Sequence, residues 1–92
     1  MIKTWKHKGL KDLFFSENDR RINKKHLTRL KVILAEMEQA KTLEQMNMPG
    51  FNLHELKAKL KDYHSVTVQA NWRVIFKFDG KHFYNVNYLD YH

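Results

Sequence analysis

The sequence of 92 residues contains no cysteine, a single proline and three glycines, and it has no long apolar run. The absence of cysteine excludes disulfide bonds and thiol chemistry. No stretch approaches the roughly 20 consecutive apolar residues that cross a membrane, and the basic start, Met1 to Phe15, does not resemble a secretory signal. The length predicts one domain, residues 1–92, and a cytoplasmic protein with no membrane partner is the expectation.

Acidic residues are also scarce. Asp and Glu number 10 against 17 Lys and Arg, which gives a formal net charge of +7 and a pI near 9.7. Ten of the basic residues, but only three acidic ones, lie between Lys3 and Lys31. This imbalance favours a polyanionic partner, which could be nucleic acid, an anionic membrane surface or an acidic protein. The alternative is a soluble protein whose surface is simply basic.

Helical periodicity dominates the N-terminal half. Leu10, Leu13 and Phe14 mark one face of a first helix, which ends in the polar loop 16–19. Asn23 is a suitable N-cap for a longer second helix, because its side chain can accept a free backbone amide. Apolar residues of the second helix recur at helical spacing and predict core packing: Leu27, Leu30, Leu34 and Met37.

Three shorter signals surround these helices. Ile2 to Trp5 is a candidate for a short strand. Thr42 to Gln45 resembles a capping box that opens one further helical turn. Pro49-Gly50 then separates the helical half from the rest of the chain.

Strand patterns fill the C-terminal half. Runs rich in β-branched and aromatic residues extend over His64 to Val68, Trp72 to Phe78 and Lys81 to Leu89. Asp79-Gly80 between the last two predicts a two-residue hairpin turn. Helices followed by antiparallel strands predict an α+β fold, with the helices on one face of the sheet.

The predicted hairpin places Phe78 opposite Lys81, Phe76 opposite Phe83 and Arg73 opposite Val86, and opposed residues share a face. The apolar face would carry Trp72, Val74, Phe76, Phe78, Phe83 and Leu89. The other face would carry Arg73, Ile75, Lys77, His82, Tyr84, Val86 and Tyr88. If the last strand continues to His92, Asp90 and His92 join this second face, because side chains alternate with period two.

The turn before this hairpin has two possible registers. A two-residue turn at Ala70-Asn71 would place Val66 and Val68 on the polar face. A three-residue turn at Gln69 to Asn71 would place both valines on the core face, and it would send Ser65 and Thr67 to the polar face. Burial favours the second register.

Cations, aromatic rings and a titratable pair on one sheet face suit single-stranded RNA, whose bases stack on aromatic rings. Cleaving RNA by internal transesterification needs a base for the 2′-hydroxyl proton, cations for the phosphorane charge and a proton for the 5′-oxygen. His92 could be the base, with Asp90 fixing its tautomer, and Arg73 could bind the phosphate. His54 and Lys57, three residues apart, could bring a second basic cluster. The alternative interpretation is that Arg73 is an ordinary surface cation and that Asp90 and His92 belong to a solvated chain end.

Three segments are similar to the HigB group of bacterial toxins in the RelE/ParE superfamily. They are Leu53-His54-Glu55-Leu56-Lys57, the run from Ser65 to Phe78 that contains Asn71-Trp72-Arg73, and the closing Tyr88-Leu89-Asp90-Tyr91-His92. The opening Met1-Ile2-Lys3 and Lys6-His7-Lys8-Gly9-Leu10 resemble that group too. The likeness covers nearly the whole chain, in order.

The resemblance implies a microbial-ribonuclease-like (RelE-like) domain, with N-terminal helices packed on a twisted, mostly antiparallel sheet. It implies ribosome-dependent cleavage of mRNA in the decoding site, with a preference for adenine-rich codons and no cofactor. It also implies two partners, the small ribosomal subunit with its mRNA and a cognate antitoxin of helix-turn-helix (HigA-like) type.

The resemblance also implies the site residues. His92 is expected as the general base, Asp90 as its orienting partner and Tyr91 as a contact to the mRNA. The expected sources of phosphate contacts and transition-state charge are His54, Lys57 and Arg73. The group that protonates the leaving oxygen is left open, because a free lysine has a high pKa near 10.4. Further RNA contacts are expected from Lys24, Lys25, Arg29, Lys59, Lys61 and Lys77.

One stretch departs from the family pattern. Many relatives carry a Gly-Asp-Arg-x-Gly-x-Trp-like segment where this chain has Ala58 to His64, so two glycines are replaced by Ala58 and Asp62. This departure affects how the loop aims Lys57. Lys59 and Lys61 would replace an arginine contact to ribosomal RNA.

Three other functions compete with RNA cleavage. One is a toxin of the same fold that poisons DNA gyrase, as some ParE-like members do, and the Asp90/His92 end argues against it. Another is an RNA-binding module without catalysis. A metal site is the third, but the six histidines lack ligand-like spacing such as H-E-x-x-H, so no metal is expected.

Overall fold

Two helices and a four-stranded antiparallel sheet make up the fold in the computed structural model, which describes residues 1–92. The helices are α1 (Lys8–Ser16) and α2 (Leu27–Gln39). The strands are β1 (His54–Glu55), β2 (His64–Gln69), β3 (Trp72–Phe78) and β4 (Phe83–Asp90), in the sheet order β1-β2-β3-β4. The predicted α+β class is confirmed. Neither helix has the length and apolar character needed to cross a bilayer.

Side-chain caps start the helical segments, and those at Asn23 and Thr42 were predicted. Asn23 Oδ1 accepts the Lys25 amide at 3.0 Å, and a single 3₁₀ turn then leads into α2. His7 Nδ1 caps α1 by accepting the Leu10 amide at 3.1 Å. Thr42 forms the predicted capping box at the start of the 3₁₀ helix Leu43–Met46. These caps satisfy backbone donors that would otherwise have no partner.

The main core lies between the helices and one face of the sheet. Leu30, Leu34 and Met37 of the predicted stripe are buried, whereas Leu27 lies at the margin. From the sheet, the fully buried aromatic side chains are Phe76 and Phe83, whose rings pack edge to face at 5.2 Å. The core-packing interpretation of the helical stripe is therefore confirmed.

The start of the chain runs parallel to β4 rather than forming a continuous strand. Ile2 and Trp5 make isolated bridges to Phe83 and Val86. The amides of Lys6 and His7 both donate to the Val86 carbonyl, at 2.8 and 3.2 Å. This sharing ends the regular ladder, so the predicted strand at Ile2 to Trp5 is confirmed only as two bridges.

The predicted two-residue turn at Asp79-Gly80 is wrong. Phe78 pairs with Phe83, and residues 79–82 form a four-residue connection. The Asp79 carboxylate accepts the amides of Lys81 and His82, at 2.9 and 2.7 Å, and these two bonds hold the longer turn. Burial of Phe83 beside Phe78, with ring centroids 4.7 Å apart, favours this register.

A β-bulge then changes which side chains of β4 face the helices. Ile75 pairs with Asn87 but Lys77 pairs with Tyr84, so β4 contains one extra residue at this point. Asn85, with φ 54°, takes up the extra length. The Thr4 hydroxyl lies 3.1 Å from Asn85 Oδ1 and accepts the Asn85 amide at 2.8 Å.

Because of the bulge, the side chains at the end of β4 lie on the opposite faces of the sheet from those predicted. Val86 and Tyr88 were expected on the polar face, but both are buried in the main core. Leu89 was expected in the core, but it pairs with Arg73 and lies on the opposite face. Asp90 pairs with Trp72 and therefore shares the helix-facing side, not the Arg73 side as predicted.

The connection between β2 and β3 combines features of both expected registers. Val66 pairs with Val74 and Thr67 with Arg73, as the favoured register requires, and Val66 and Val68 are buried. Gln69 nevertheless pairs with Trp72 across a two-residue turn, because a bulge at Val68 absorbs the difference. Ser65 faces the Arg73 side, as predicted.

Candidate active site

A cleft of about 300 Å³ opens on the sheet face opposite the helices. Its lining consists of His54, Glu55, Leu56, Lys57, Ser65, Arg73 and Tyr91. Four of the six residues predicted to be catalytic therefore lie together: His54, Lys57, Arg73 and Tyr91. They come from β1, the turn after it, β3 and the segment after β4, so the folded sheet is required to assemble the cleft.

Arg73 is held by the turn that precedes its strand. Its Nη1 donates to the Ala70 carbonyl at 2.6 Å and lies 3.3 Å from the Trp72 carbonyl. These bonds occupy only Nη1 of the guanidinium. The other N–H groups remain for an anion, because a guanidinium carries five donors in a fixed plane.

His54 enters the cleft from the two-residue strand β1, where it pairs with Ser65. Its Nδ1 lies 2.8 Å from the Asn52 carbonyl. A carbonyl only accepts, so Nδ1 carries the proton in this bond and Nε2 is the nitrogen left for other partners. The ring is exposed, which makes Nε2 accessible to a substrate.

Tyr91 is anchored through its backbone. Its amide donates to the Asn71 carbonyl at 2.8 Å, which extends the β3–β4 pairing past the end of β4. Its ring packs against a small second cluster, made by Leu56, Tyr63 and Ile75, on the cleft side of the sheet. This packing holds an aromatic surface beside Arg73, suited to stacking on a base.

Asp90 and His92 form a separate pair that does not line the cleft. Asp90 Oδ1 lies 3.3 Å from His92 Nδ1, and the two side chains are 43% and 74% exposed. The carboxylate is thus within reach of the imidazole, and its orienting role stays a prediction. The prediction that Asp90 shares a sheet face with Arg73 is wrong, and Tyr91 occupies that side instead.

The segment that departs from the family pattern is a 3₁₀ turn, Ala58–Leu60. The Leu56 amide donates to the Tyr63 carbonyl at 2.9 Å and closes the loop. Ala58 and Asp62 adopt positive φ, 57° and 76°, at the two positions where the resemblance predicts glycine. The loop thus keeps a backbone shape that glycine adopts easily. Lys57, Lys59 and Lys61 are all exposed along it.

Two residues predicted to contact RNA have partners within the fold, and their contact with RNA stays a prediction. The Arg29 guanidinium donates to the carbonyls of Gly50 and Thr67, at 2.6 and 3.1 Å, and lies over the Phe51 ring. Lys77 Nζ lies 5.2 Å from the Tyr63 ring centroid. Arg29 therefore fastens the chain reversal at Gly50 to β2. Lys24 and Lys25 remain exposed and carry their charge at the surface.

Sequence reasoning did not assign Glu55 or Ser65 to the site. Glu55 follows His54 and is the one acidic residue that lines the cleft. Ser65 is 3% exposed and lies opposite His54 and Ile75. A usable signal existed for Ser65, because the favoured register had already placed it on the Arg73 face.

Comparison with known proteins agrees with this fold. Residues 3–92 match the HigB-like toxin family, described as the RelE-like toxin of type II toxin–antitoxin system HigB. Endoribonuclease HigB of Proteus vulgaris is 38% identical over 92 residues, and the match covers 100% of both chains.

Two solved structures share the fold. The YoeB–YefM complex from Staphylococcus aureus contains a chain with a TM-score of 0.61 and 17% identity, covering 100% of this chain and 98% of that one. YafQ from E. coli strain BL21(DE3) has a TM-score of 0.50 and 19% identity, covering 95% and 92%. The family match and the shared fold together define the class of this protein as a RelE-like toxin.

The chain belongs to the HigB-like toxin family of type II toxin–antitoxin systems. An antitoxin partner follows from this membership.

Proposed function

We propose that this toxin is an endoribonuclease that cleaves mRNA on the ribosome, in the decoding site, with a preference for adenine-rich codons. One observation carries the proposal: His54, Lys57, Arg73 and Tyr91 meet in a single cleft at the chain end that bears the Asp90–His92 pair. The endoribonuclease from Proteus vulgaris supports it, because it matches this chain over its full length.

The proposed reaction is an internal transesterification. The ribose 2′-oxygen forms a bond to the adjacent phosphorus, and the bond from phosphorus to the 5′-oxygen of the next nucleotide breaks. His92 accepts the 2′-hydroxyl proton while Asp90 holds its Nδ1, which leaves Nε2 as the basic nitrogen. General base catalysis of this kind typically contributes about 10²–10⁴-fold to a rate.

Arg73 and Lys57 stabilise the charge that develops on the phosphorane oxygens. Arg73 is suited to this task because the Ala70 carbonyl fixes its guanidinium before the substrate arrives. Tyr91 stacks on a base and sets the position of the nucleotide. His54, whose Nε2 is free of the Asn52 contact, contacts the phosphate, and in its protonated form it donates the proton to the leaving 5′-oxygen.

Dependence on the ribosome fits the shape of the site. The cleft is shallow and about 300 Å³ in volume, which is too small to bind more than a short part of a strand. A ribosome would supply the missing orientation by presenting one codon in a fixed conformation, and orientation alone lowers a barrier substantially. Lys24, Lys25, Lys59 and Lys61 would dock on ribosomal RNA. The antitoxin is proposed to be of helix-turn-helix (HigA-like) type.

The test is cleavage of mRNA in a purified ribosome complex with an AAA codon in the decoding site. Wild type should cut, and Arg73→Ala should cut much more slowly. Lys81→Ala is a matched control, because Lys81 is an exposed cation in the turn at the far end of the β3–β4 hairpin. Absence of cleavage by wild type, together with inhibition of DNA gyrase supercoiling, would contradict the proposal.

A further inference from the structure

His26 is one of two strongly polar side chains buried in this protein, with 2% of its surface exposed. It lies at the junction between the 3₁₀ turn after Asn23 and helix α2. The two lysines that precede it in the sequence, Lys24 and Lys25, are exposed to solvent, but its ring points into the molecule. A buried imidazole needs partners for its two nitrogens, because an unpaired polar group in the interior is destabilising.

Both ring nitrogens of His26 have partners on the sheet. Nδ1 lies 2.5 Å from the Tyr88 hydroxyl, and Nε2 lies 3.0 Å from Gln69 Oε1. The amide oxygen of Gln69 only accepts, so Nε2 carries the proton and the Tyr88 hydroxyl donates to Nδ1. The Tyr88 hydroxyl is protonated at neutral pH and able to donate, and burial raises its pKa further. The ring therefore has one defined tautomer.

Aromatic packing completes the enclosure. The His26 ring centroid lies 5.3 Å from that of Trp72 and 5.8 Å from that of Tyr88, and the Trp72 and Tyr88 rings are 4.9 Å apart. Two hydrogen bonds and two ring contacts thus fix the imidazole in position. A leucine of similar size could fill this space, but it could not form the hydrogen bonds to Gln69 of β2 and Tyr88 of β4.

All partners of His26 lie at one end of the sheet. Gln69 pairs with Trp72, and Trp72 pairs with Asp90. Tyr88 precedes Asp90 by two residues and lies on the same helix-facing side. The Tyr91 amide is bound to the carbonyl of Asn71, in the turn between Gln69 and Trp72. His26 therefore connects α2 to the turn and to the strand end that together hold residues 90–92.

We propose that His26 is a positioning residue, which fixes the segment Asp90–His92 relative to the cleft through Tyr88, Gln69 and Trp72. The effect of His26 on catalysis rests on the proposed function. His26 touches no substrate, because only 2% of its surface is exposed. Its effect is on alignment, and a displacement of about 1 Å in a catalytic group can cost roughly 100-fold in rate.

Three substitutions test this role. His26→Leu removes both hydrogen bonds, Tyr88→Phe removes only the hydroxyl, and His26→Gln retains one donor and one acceptor. In single-turnover cleavage on the ribosome, His26→Leu should slow the chemical step by about 10- to 100-fold without changing half-saturation by ribosomes. Tyr88→Phe should cause a smaller loss, and His26→Gln should recover part of the rate.

Hydrogen exchange of the Tyr91 amide provides a readout that needs no RNA. It should be faster in His26→Leu, because the strand end loses its attachment to α2. Met46→Ala, a core substitution outside this network, is the control: it should lower the melting temperature yet leave the cleavage rate unchanged.

The outcomes separate the two proposals. Wild-type rates in both His26→Leu and Tyr88→Phe would overturn the positioning role, and Tyr88→Phe still decides the question if His26→Leu does not fold. If the wild-type protein itself fails to cleave, the proposed function falls. The Tyr91 exchange then decides the role of His26 alone, and an unchanged exchange rate would overturn it.

Discussion

The Asp90 carboxylate lies 3.3 Å from Nδ1 of His92, and both side chains reach solvent. Exposed ion pairs contribute little to folding, typically about 0–1 kcal/mol. Any value of this contact must therefore lie in the chemistry, where the carboxylate directs the opposite nitrogen of the ring toward RNA.

Substituting His92→Ala should reduce the cleavage rate on the ribosome by about 10²–10⁴-fold, the usual contribution of a general base. Asp90→Asn should cause a smaller loss, because the base remains but its orientation is less well fixed. Thermal unfolding of both variants should match wild type. A His92→Ala variant that cut RNA at the original rate would show that another group accepts the proton, with His54 the next to test.

Substitutions of Arg29 and Lys25 should distinguish a structural role from a role in docking on the ribosome. Arg29→Lys should lower the free energy of unfolding by roughly 1–3 kcal/mol, because the planar fork that binds two carbonyls is lost. Lys25→Ala should leave unfolding unchanged, weaken ribosome binding and reduce its salt dependence. Urea unfolding and binding at several salt concentrations would measure these effects. An Arg29→Lys protein as stable as wild type would contradict the structural role.

His7 should make stability depend on pH. Burial is the main reason that the pKa of His7 is lowered, and the nearby Arg21 charge lowers it further. The folded state then binds fewer protons than the unfolded state below about pH 6.5, so stability should be complete above that pH and should fall as pH decreases.

His7→Ser keeps an oxygen that can cap α1 but removes the titrating ring, so the loss of stability between about pH 7.5 and 5.5 should be smaller than in wild type. His7→Ala should also be less stable by about 1 kcal/mol at the higher pH, because the cap is lost. Urea unfolding at the two pH values would give both quantities. Equal slopes for wild type and His7→Ser would rule out His7 as the source.

The positive φ of Ala58 predicts a stabilising substitution. A non-glycine residue in the left-handed region is strained by roughly 1–2 kcal/mol. Glycine removes this strain, but it loses more conformational entropy on folding, which offsets part of the gain. Ala58→Gly should therefore raise the free energy of unfolding, by up to about 1 kcal/mol. Ala40→Gly is the control with opposite sign, because Ala40 has φ −67° and is buried. A loss of stability in Ala58→Gly would show that the loop is not strained there.

Much of the fold could be predicted because its signals are local. The bounds of β3, the cap at Asn23 and the buried helical stripe depend on residues close in sequence. The turn at 79–82 could not be predicted from the Asp-Gly pair alone, because burial of Phe83 decides its length.

The candidate site was predicted in part for the same reason. Family motifs identified Arg73 and Tyr91, but their shared cleft depends on the bulge at Asn85, which is held by Thr4 from 81 positions away. The burial of His26 likewise depends on Gln69 and Tyr88, far along the chain. A lysine-rich segment gives no local sign that one of its members points inward.

The bulge at Asn85 decides which side chains of β4 lie beside Arg73. Side chains alternate along a strand, and Asn85 is the one residue of β4 that this alternation skips. If Asn85 entered the regular ladder, every residue after it would change face. Tyr91 would then face the helices and Asp90 would enter the cleft, although no residue of the site itself had changed. A homologous chain of the same length without this bulge would therefore present different chemistry to RNA from the same sheet.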